Sequence, residues 1–197
     1  RSSGKPVDIE LRFERLRSAI SGTMSNFFVA KDRDHENRLV GVKVCDCDKV
    51  EFFEGRFKGP NKPSEGEIAL QMSHPNIVQT YEYGTSTKGQ QFLVMEYIDG
   101  PGLQQLIAER QENKLAGRRL DMIRQMAEAL HHVHKKEFIH RDICPRNFIC
   151  SPDINHIKFD RLRPNRSRHG GFHATWQSNR HSALHGPGSS PASYNRS

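Results

Sequence analysis

Apolar and polar residues alternate in short runs along the first half of the chain. Phe27 to Ala30 and Leu39 to Val44 read as two strands joined by the polar connection DRDHEN, the pattern of an antiparallel hairpin. A charged, Gly- and Pro-bearing stretch, EGRFKGPNKPSEGE, leads into Ile68, Ala69 and Met72 at helical spacing. That helix is expected to stop at SHPN, because His74 precedes Pro75 and is pushed away from helical angles. IVQTYEYG and QQFLVMEYI read as two more strands, separated by the turn-rich TSTKG. After Asp99-Gly100-Pro101-Gly102 the period changes. Leu103, Leu106 and Ile107 mark one helix, and Leu120, Ile123, Met126, Ala127, Leu130 and Val133 mark a longer one. A small sheet with one helix therefore gives way to a helical part near residue 98, and no internal repeat is visible.

Composition refines this picture. The 197 residues suffice for one medium domain with a buried core. No apolar run approaches the roughly 18 residues of a membrane-spanning helix, and no N-terminal apolar h-region is present, so a soluble cytoplasmic protein is expected. Cys45, Cys47, Cys144 and Cys150 form no CxxC pair and read as reduced thiols. The chain opens on Arg1 rather than Met, as expected of a fragment, a processed start or an unusual initiation codon.

The net charge of +7 raises nucleic acid as a partner until its distribution is considered. From Phe159 to Ser197 six arginines and a single acid, Asp160, account for +5, leaving +2 for the first 158 residues. This tail has no Ile or Val and ends in HGPGSSPASYNRS, so it cannot bury enough apolar surface to offset its ordering entropy, and disorder is expected. An arginine-rich tail of this kind is usually only solvated, and nucleic-acid binding is not the preferred reading.

The strongest local signal is FIHRDICPRNFIC, residues 138 to 150, with His140, Arg141 and Asp142 ahead of Asn147 by a fixed offset. It resembles the catalytic loop of eukaryotic-type protein kinases, whose Asp orients the substrate hydroxyl and whose Asn binds magnesium. By that resemblance Asp142 and Asn147 are catalytic, Asn147 is the metal ligand, and Mg and ATP are the implied cofactors. Cys144 replaces the lysine usual in serine/threonine kinase loops, while Arg146 sits where tyrosine kinases carry an arginine and would supply the missing positive charge. VGVKV places Lys43 where the family keeps the lysine that neutralises ATP phosphates. SEGEIALQMSHPNIV resembles the kinase C-helix, and its register selects Glu65 as the ion-pair partner, with Glu67 the alternative. LVMEYIDGPGL resembles the last strand of the small lobe and the interlobe connection. Met95 would line the back of the adenine pocket, and the backbone from Glu96 to Ile98 would meet the adenine edge. The phosphate-covering loop matches through Gly22, with Ile20 and Ser25 at the other two glycine positions. Phe27 falls where the family keeps valine over the adenine, and Gly41 where it keeps alanine, so a bulkier roof is offset by a missing methyl. GTMS and HPNIVQTYEYG look most like a bacterial serine/threonine kinase.

The resemblance implies an α+β, bilobal protein-kinase-like fold, with a complete sheet-rich N-lobe over 1–97, a truncated helical C-lobe over 98–158 and a disordered basic tail over 159–197. It ends abruptly, because neither DFG nor APE follows the strand-like HIK. If each codon from Phe159 onward is split after its first base, the shifted triplets can spell LIDFGLTVPAT and, further on, YMAPEV. A one-base frameshift near Lys158 is therefore expected. The chain would lack the second magnesium carboxylate and the activation segment, so phosphotransfer should be lost and the helices over 103–133 should expose apolar faces. Three readings follow: a serine/threonine kinase acting on protein hydroxyls, impaired in this form; a non-catalytic remnant that binds nucleotide or protein; and, least favoured, a nucleic-acid binder acting through the tail.

Overall fold

The computed structural model describes residues 4–17, 25–45, 65–140, 142–160 and 177–178. Asp8 caps a single helical turn, α1 (Ile9–Arg12), its carboxylate accepting the amides of Glu10 and Leu11 at 3.0 and 3.2 Å. The chain continues into β1 (Phe13–Arg17), β2 (Ser25–Asp32) and β3 (Arg38–Cys45). The helix α2 (Glu65–Gln71) precedes β4 (Thr80–Thr85) and β5 (Gln91–Glu96). These strands form one antiparallel sheet in the order β1-β2-β3-β5-β4. The expected hairpin is β2–β3, which pairs from Ser25↔Cys45 to Asp32↔Arg38. The run beginning at Ile77 enters the sheet only at Thr80. Ile77 bridges Phe159 instead, and the Val78 amide donates to the Phe159 carbonyl at 3.0 Å.

Strand alternation divides the sheet into two apolar faces. Phe28, Ala30, Val40, Val42, Val44, Phe92 and Val94 pack with Ile9 and Phe13 on the outer face. Leu93 and Met95 pack with Ala69 of α2 and Val78 on the inner one, flanked by Phe27, Tyr83 and Ile98. The outer face is also fastened by Arg12. Its guanidinium bridges the Asp32 carboxylate at 2.9 and 3.0 Å and Glu82 at 2.9 and 2.8 Å.

The second half contains α3 (Leu103–Ala108), α4 (Glu112–Leu115) and α5 (Arg119–Lys135). After β6 (Phe138–Ile139) come a 3-10 turn (Pro145–Asn147), β7 (Phe148–Cys150) and β8 (Ile157–Phe159). The short β9 (Gln177–Ser178) pairs with β6. Leu106, Met122, Ala129, Val133, Phe148, Ile157 and Phe159 share a core with Met72 and Ile77 of the first half. The connecting segment is drawn tight against β7. The Cys150 amide donates to the Pro101 carbonyl at 2.9 Å, and a Cβ on Gly100 would lie 2.0 Å from the Cys150 carbonyl oxygen. Only glycine fits there.

The apolar stripe expected on α5 needs correction. Val133 is buried and Met126 and Leu130 pack half-buried against the core as expected, but Leu120 and Ile123 are 83% and 56% exposed, and Met122, Gln125 and Ala129 are buried. The reason is polar. The Gln125 Oε1 accepts from Asn76 Nδ2 and the Ile157 amide, and its Nε2 donates to the Asn155 carbonyl. A fully satisfied glutamine can occupy a core position that its residue type conceals. Ile107 of α3 is also exposed, so both helices present apolar side chains to solvent. No helix among the described residues is long and apolar enough to cross a membrane. Cys45, Cys144 and Cys150 are free thiols, and Cys47 lies outside the described residues.

The His74 ring packs at a tilt against His132 of α5, with ring centroids 5.1 Å apart. Burial, followed by the charges of His74, Lys136, His131 and Lys135, holds His132 below the usual histidine pKa. Folding therefore favours its neutral form. The stability this contributes is present above the ordinary value of about 6.5 and declines as pH falls below it. The melting temperature of the parent protein should drop more steeply between pH 7 and 5 than that of His132→Gln, as measured by differential scanning fluorimetry.

Candidate active site

The HRD-bearing loop is built on a buried anchor. His140 is 2% exposed and meets Phe159 edge-on at 4.6 Å, while its Nδ1 and carbonyl lie 3.3 and 2.9 Å from the Asp142 amide. Arg141 lies outside the described residues. The chain then turns through Pro145–Asn147, so that Arg146 and Asn147 fold back onto Asp142. Arg146 Nη2 contacts both Asp142 carboxylate oxygens, at 3.0 and 3.2 Å. Asn147 Nδ2 donates to the Asp142 carbonyl at 2.7 Å and to its carboxylate at 3.3 Å. Burial raises the Asp142 pKa, but the hydrogen bonds from Arg146 and Asn147 and the Arg146 charge outweigh it, so the carboxyl lies below its ordinary range. The loop thus holds an ionised carboxylate able to orient a hydroxyl by hydrogen bonding or to face a cation. Cys144, also beside Asp142, has its thiol pKa raised by burial and by that carboxylate, so it is a neutral neighbour and not a second anion.

Asp160 was not assigned from the sequence. It is 7% exposed, and its amide donates to the Asn147 carbonyl at 2.7 Å. The signal that could have found it is its position as the acid directly after β8.

Lys43 is 2% exposed on β3. Val42 and Val44 face the outer core, so alternation puts Lys43 on the inner face with Gly41. Met95 is the register partner of Gly41 and is buried. Glu96 ends β5, and Ile98 packs half-buried against the inner cluster. Glu65 heads α2, although only its backbone is described, and Glu67 on the same helix is exposed. Gly22, with Ile20, lies outside the described residues. The described members thus fall into two groups. Asp142, Arg146 and Asn147 touch one another in one loop, while Lys43 and Met95 share the inner face of the sheet. A cavity of about 270 Å³ lined by Ile9, Arg15, Phe28 and Lys88 lies on the outer face and belongs to neither group.

The missing methyl at position 41 has a direct structural counterpart. A Cβ there would lie 2.8 Å from both Cε2 and Cζ of Phe27 and 3.2 Å from Met95 Cγ, so the phenyl ring fills the volume an alanine would use. Gly41→Ala should cost about 1–3 kcal/mol by overpacking. Combined with Phe27→Val it should cost less than the sum of the two single changes. Denaturant unfolding of all four species measures that coupling.

A family model described as protein kinase domain matches residues 14–160. The chain is 32% identical over 143 residues to the serine/threonine-protein kinase PrkC of Bacillus subtilis, covering 70% of this chain and 20% of that protein. It is 33% identical over 144 residues to PknF of Mycobacterium tuberculosis, covering 72% and 29%. The crystal structure of the PknI kinase domain of Mycobacterium tuberculosis superposes with a TM-score of 0.56 at 22% identity, over 75% of this chain and 57% of that one. The chain thus spans under a third of the two curated relatives and somewhat over half of the solved domain. The HRD loop anchored on His140, the buried strand lysine, the five-stranded sheet and a family match across 14–160 lead to one conclusion: this chain belongs to the protein kinase family and is of the bacterial serine/threonine type.

Proposed function

We propose that this chain is the nucleotide-binding portion of an ATP-dependent protein serine/threonine kinase, the family activity being transfer of the ATP γ-phosphate to protein hydroxyls. The observation that carries the reading is the Asp142 carboxylate, kept ionised by Arg146 and cross-braced by Asn147 on a loop anchored by buried His140. In this reading Asp142 orients the acceptor hydroxyl, Arg146 holds Asp142 and offers positive charge to the γ-phosphate, and Lys43 neutralises the other phosphates. Gly22 covers them and Glu65 pairs with Lys43. Met95 backs the adenine, and the main chain from Glu96 to Ile98 meets its edge.

The donor set suits Mg²⁺. Because Asn147 turns its Nδ2 toward Asp142, its amide oxygen is the atom available to a cation. Asp160, fastened to the Asn147 carbonyl through its amide, borders the loop and would serve as a second oxygen ligand. No group of three or more His, Cys, Asp or Glu forms a metal site among the described residues. Mg²⁺ is commonly held by one or two carboxylates together with substrate phosphates and water, and needs no more. Bound there, it would neutralise charge developing on the phosphates.

The chain is read as an N-lobe over 1–97, a partial C-lobe over 98–158 and an out-of-frame tail over 159–197, acting in the cytoplasm. The end of the family match at 160 supports a one-base frameshift near Lys158. Codons downstream that cannot be re-read as DFG and APE would reject it. Loss of the activation segment makes phosphotransfer by this form weak or absent. The second reading, a non-catalytic remnant that binds nucleotide or a protein partner, is favoured by the same loss. A basic tail of accidental origin argues against a nucleic-acid partner. Thermal-shift titration with Mg-ATP tests the common element. A saturable rise in melting temperature supports nucleotide binding, its absence rejects it, and phosphate transfer to a generic protein substrate would reject impairment.

A further inference from the structure

The side chain of Glu96, whose main chain is assigned to the adenine edge, is engaged elsewhere. Both of its carboxylate oxygens lie 2.7 Å from Lys158 Nζ on β8, and each partner is only about a quarter exposed. Oε2 also accepts the Gln79 amide at 3.2 Å, while the Glu96 amide donates to the Gln79 carbonyl at 2.8 Å. Glu96 is thereby held by the segment entering β4, by its β3 neighbour Val40 and by β8.

Lys158 has little freedom to be anywhere else. Its neighbours Ile157 and Phe159 are fully buried, so alternation turns Lys158 to the opposite face of β8, toward Glu96. Its strand is anchored through Ile149↔Lys158 and through the Phe159 amide on the Asn76 carbonyl at 2.8 Å. Two residues further on, the Asp160 amide meets the Asn147 carbonyl. A short, rigid path therefore joins the end of β5 to the loop carrying Asp142.

We infer that Lys158 is a positioning residue for the nucleotide base: by clamping the Glu96 carboxylate it fixes the main chain of Glu96 to Ile98 against the β7–β8 hairpin. This rests on the nucleotide reading above. The pair's value is geometric, because hydrogen-bonding groups already in place need not be ordered when the ligand arrives. Without the ammonium, the Glu96 carboxylate keeps only the Gln79 amide and can turn toward water, loosening the main chain behind it.

Two probes separate the base from the phosphates: adenosine, which lacks phosphate, and magnesium tripolyphosphate, which lacks a base. Isothermal titration of the full chain with Lys158→Met, which keeps the aliphatic stem, should show adenosine bound roughly fivefold more weakly. Tripolyphosphate affinity should be unchanged, and Lys158→Arg should restore most of the loss. Equal adenosine affinity in parent and Lys158→Met overturns the inference, as does parallel weakening of both probes, which would signal general loosening. Failure of the parent protein to bind adenosine at all overturns the nucleotide reading, and this inference falls with it.

Discussion

Lys43→Met is expected to remove the Mg-ATP-induced rise in melting temperature while leaving the fold intact. The lysine is 2% exposed and stands between Val42 and Val44 on the central strand β3, so its aliphatic stem is already part of the packed interior. Methionine fills nearly the same volume, and what disappears is the charge. In a site shielded from water, loss of one cation facing polyphosphate costs about 3 kcal/mol, more than a hundredfold in affinity. Isothermal titration with Mg-ATP measures the affinity, and circular dichroism with thermal melting checks the fold. A Lys43→Met protein that binds Mg-ATP as well as its parent would remove Lys43 from the site. Binding of a protein partner that does not use the nucleotide should be untouched.

The second large effect concerns stability. Arg12→Ala should destabilise the chain by about 3–5 kcal/mol, because it strands Asp32, which has no exposed surface, and Glu82 without their cation. Burial lowers the Arg12 pKa, but the hydrogen bonds and charges of Asp32 and Glu82 more than compensate and carry it above its ordinary value. Asp32 moves the other way. Burial pushes it up, and Arg12, followed by His35, pulls it below the usual carboxylate range. A carboxylate with a depressed folded pKa contributes stability that is present above its unfolded value of about 4 and is lost as pH falls through its folded value. The difference between parent and Arg12→Ala, measured by urea unfolding, should therefore be largest near neutrality and shrink in acid below about pH 4. Arg12→Lys should recover only part of it, since an ammonium cannot reproduce the two-pronged contact with Asp32.

The sequence made some of these features easy to read and concealed others, for definite physical reasons. Strands β2, β3 and β5 were legible because Phe27 to Ala30, Val40 to Val44 and Phe92 to Met95 are packed on one or both faces of the sheet. β1 was not, because Phe13 is its one buried residue and the rest of this edge strand, Leu16 included, faces solvent. On α5 the apolar period found Met126, Leu130 and Val133, which pack on the core, but Leu120 and Ile123 stand in water while Gln125 occupies the core face. The Asp142 loop was legible because its members are close in sequence and their offset is set by one turn. Glu96 and Lys158 come together only through the separate registers of β5 and β8, which no local pattern encodes. The placement of Asp160 beside Asn147 depends in the same way on the β7–β8 hairpin.

The strap at Gly100 limits how the molecule can breathe. With its main chain pressed against the Cys150 carbonyl and Pro101 hydrogen-bonded to the same residue, the sheet half cannot slide across the helical half without breaking backbone contacts. Together with the Val78 amide on the Phe159 carbonyl, this strap ties the halves at two places, so any side chain at position 100 would push the Cys150 carbonyl aside and undo one of them.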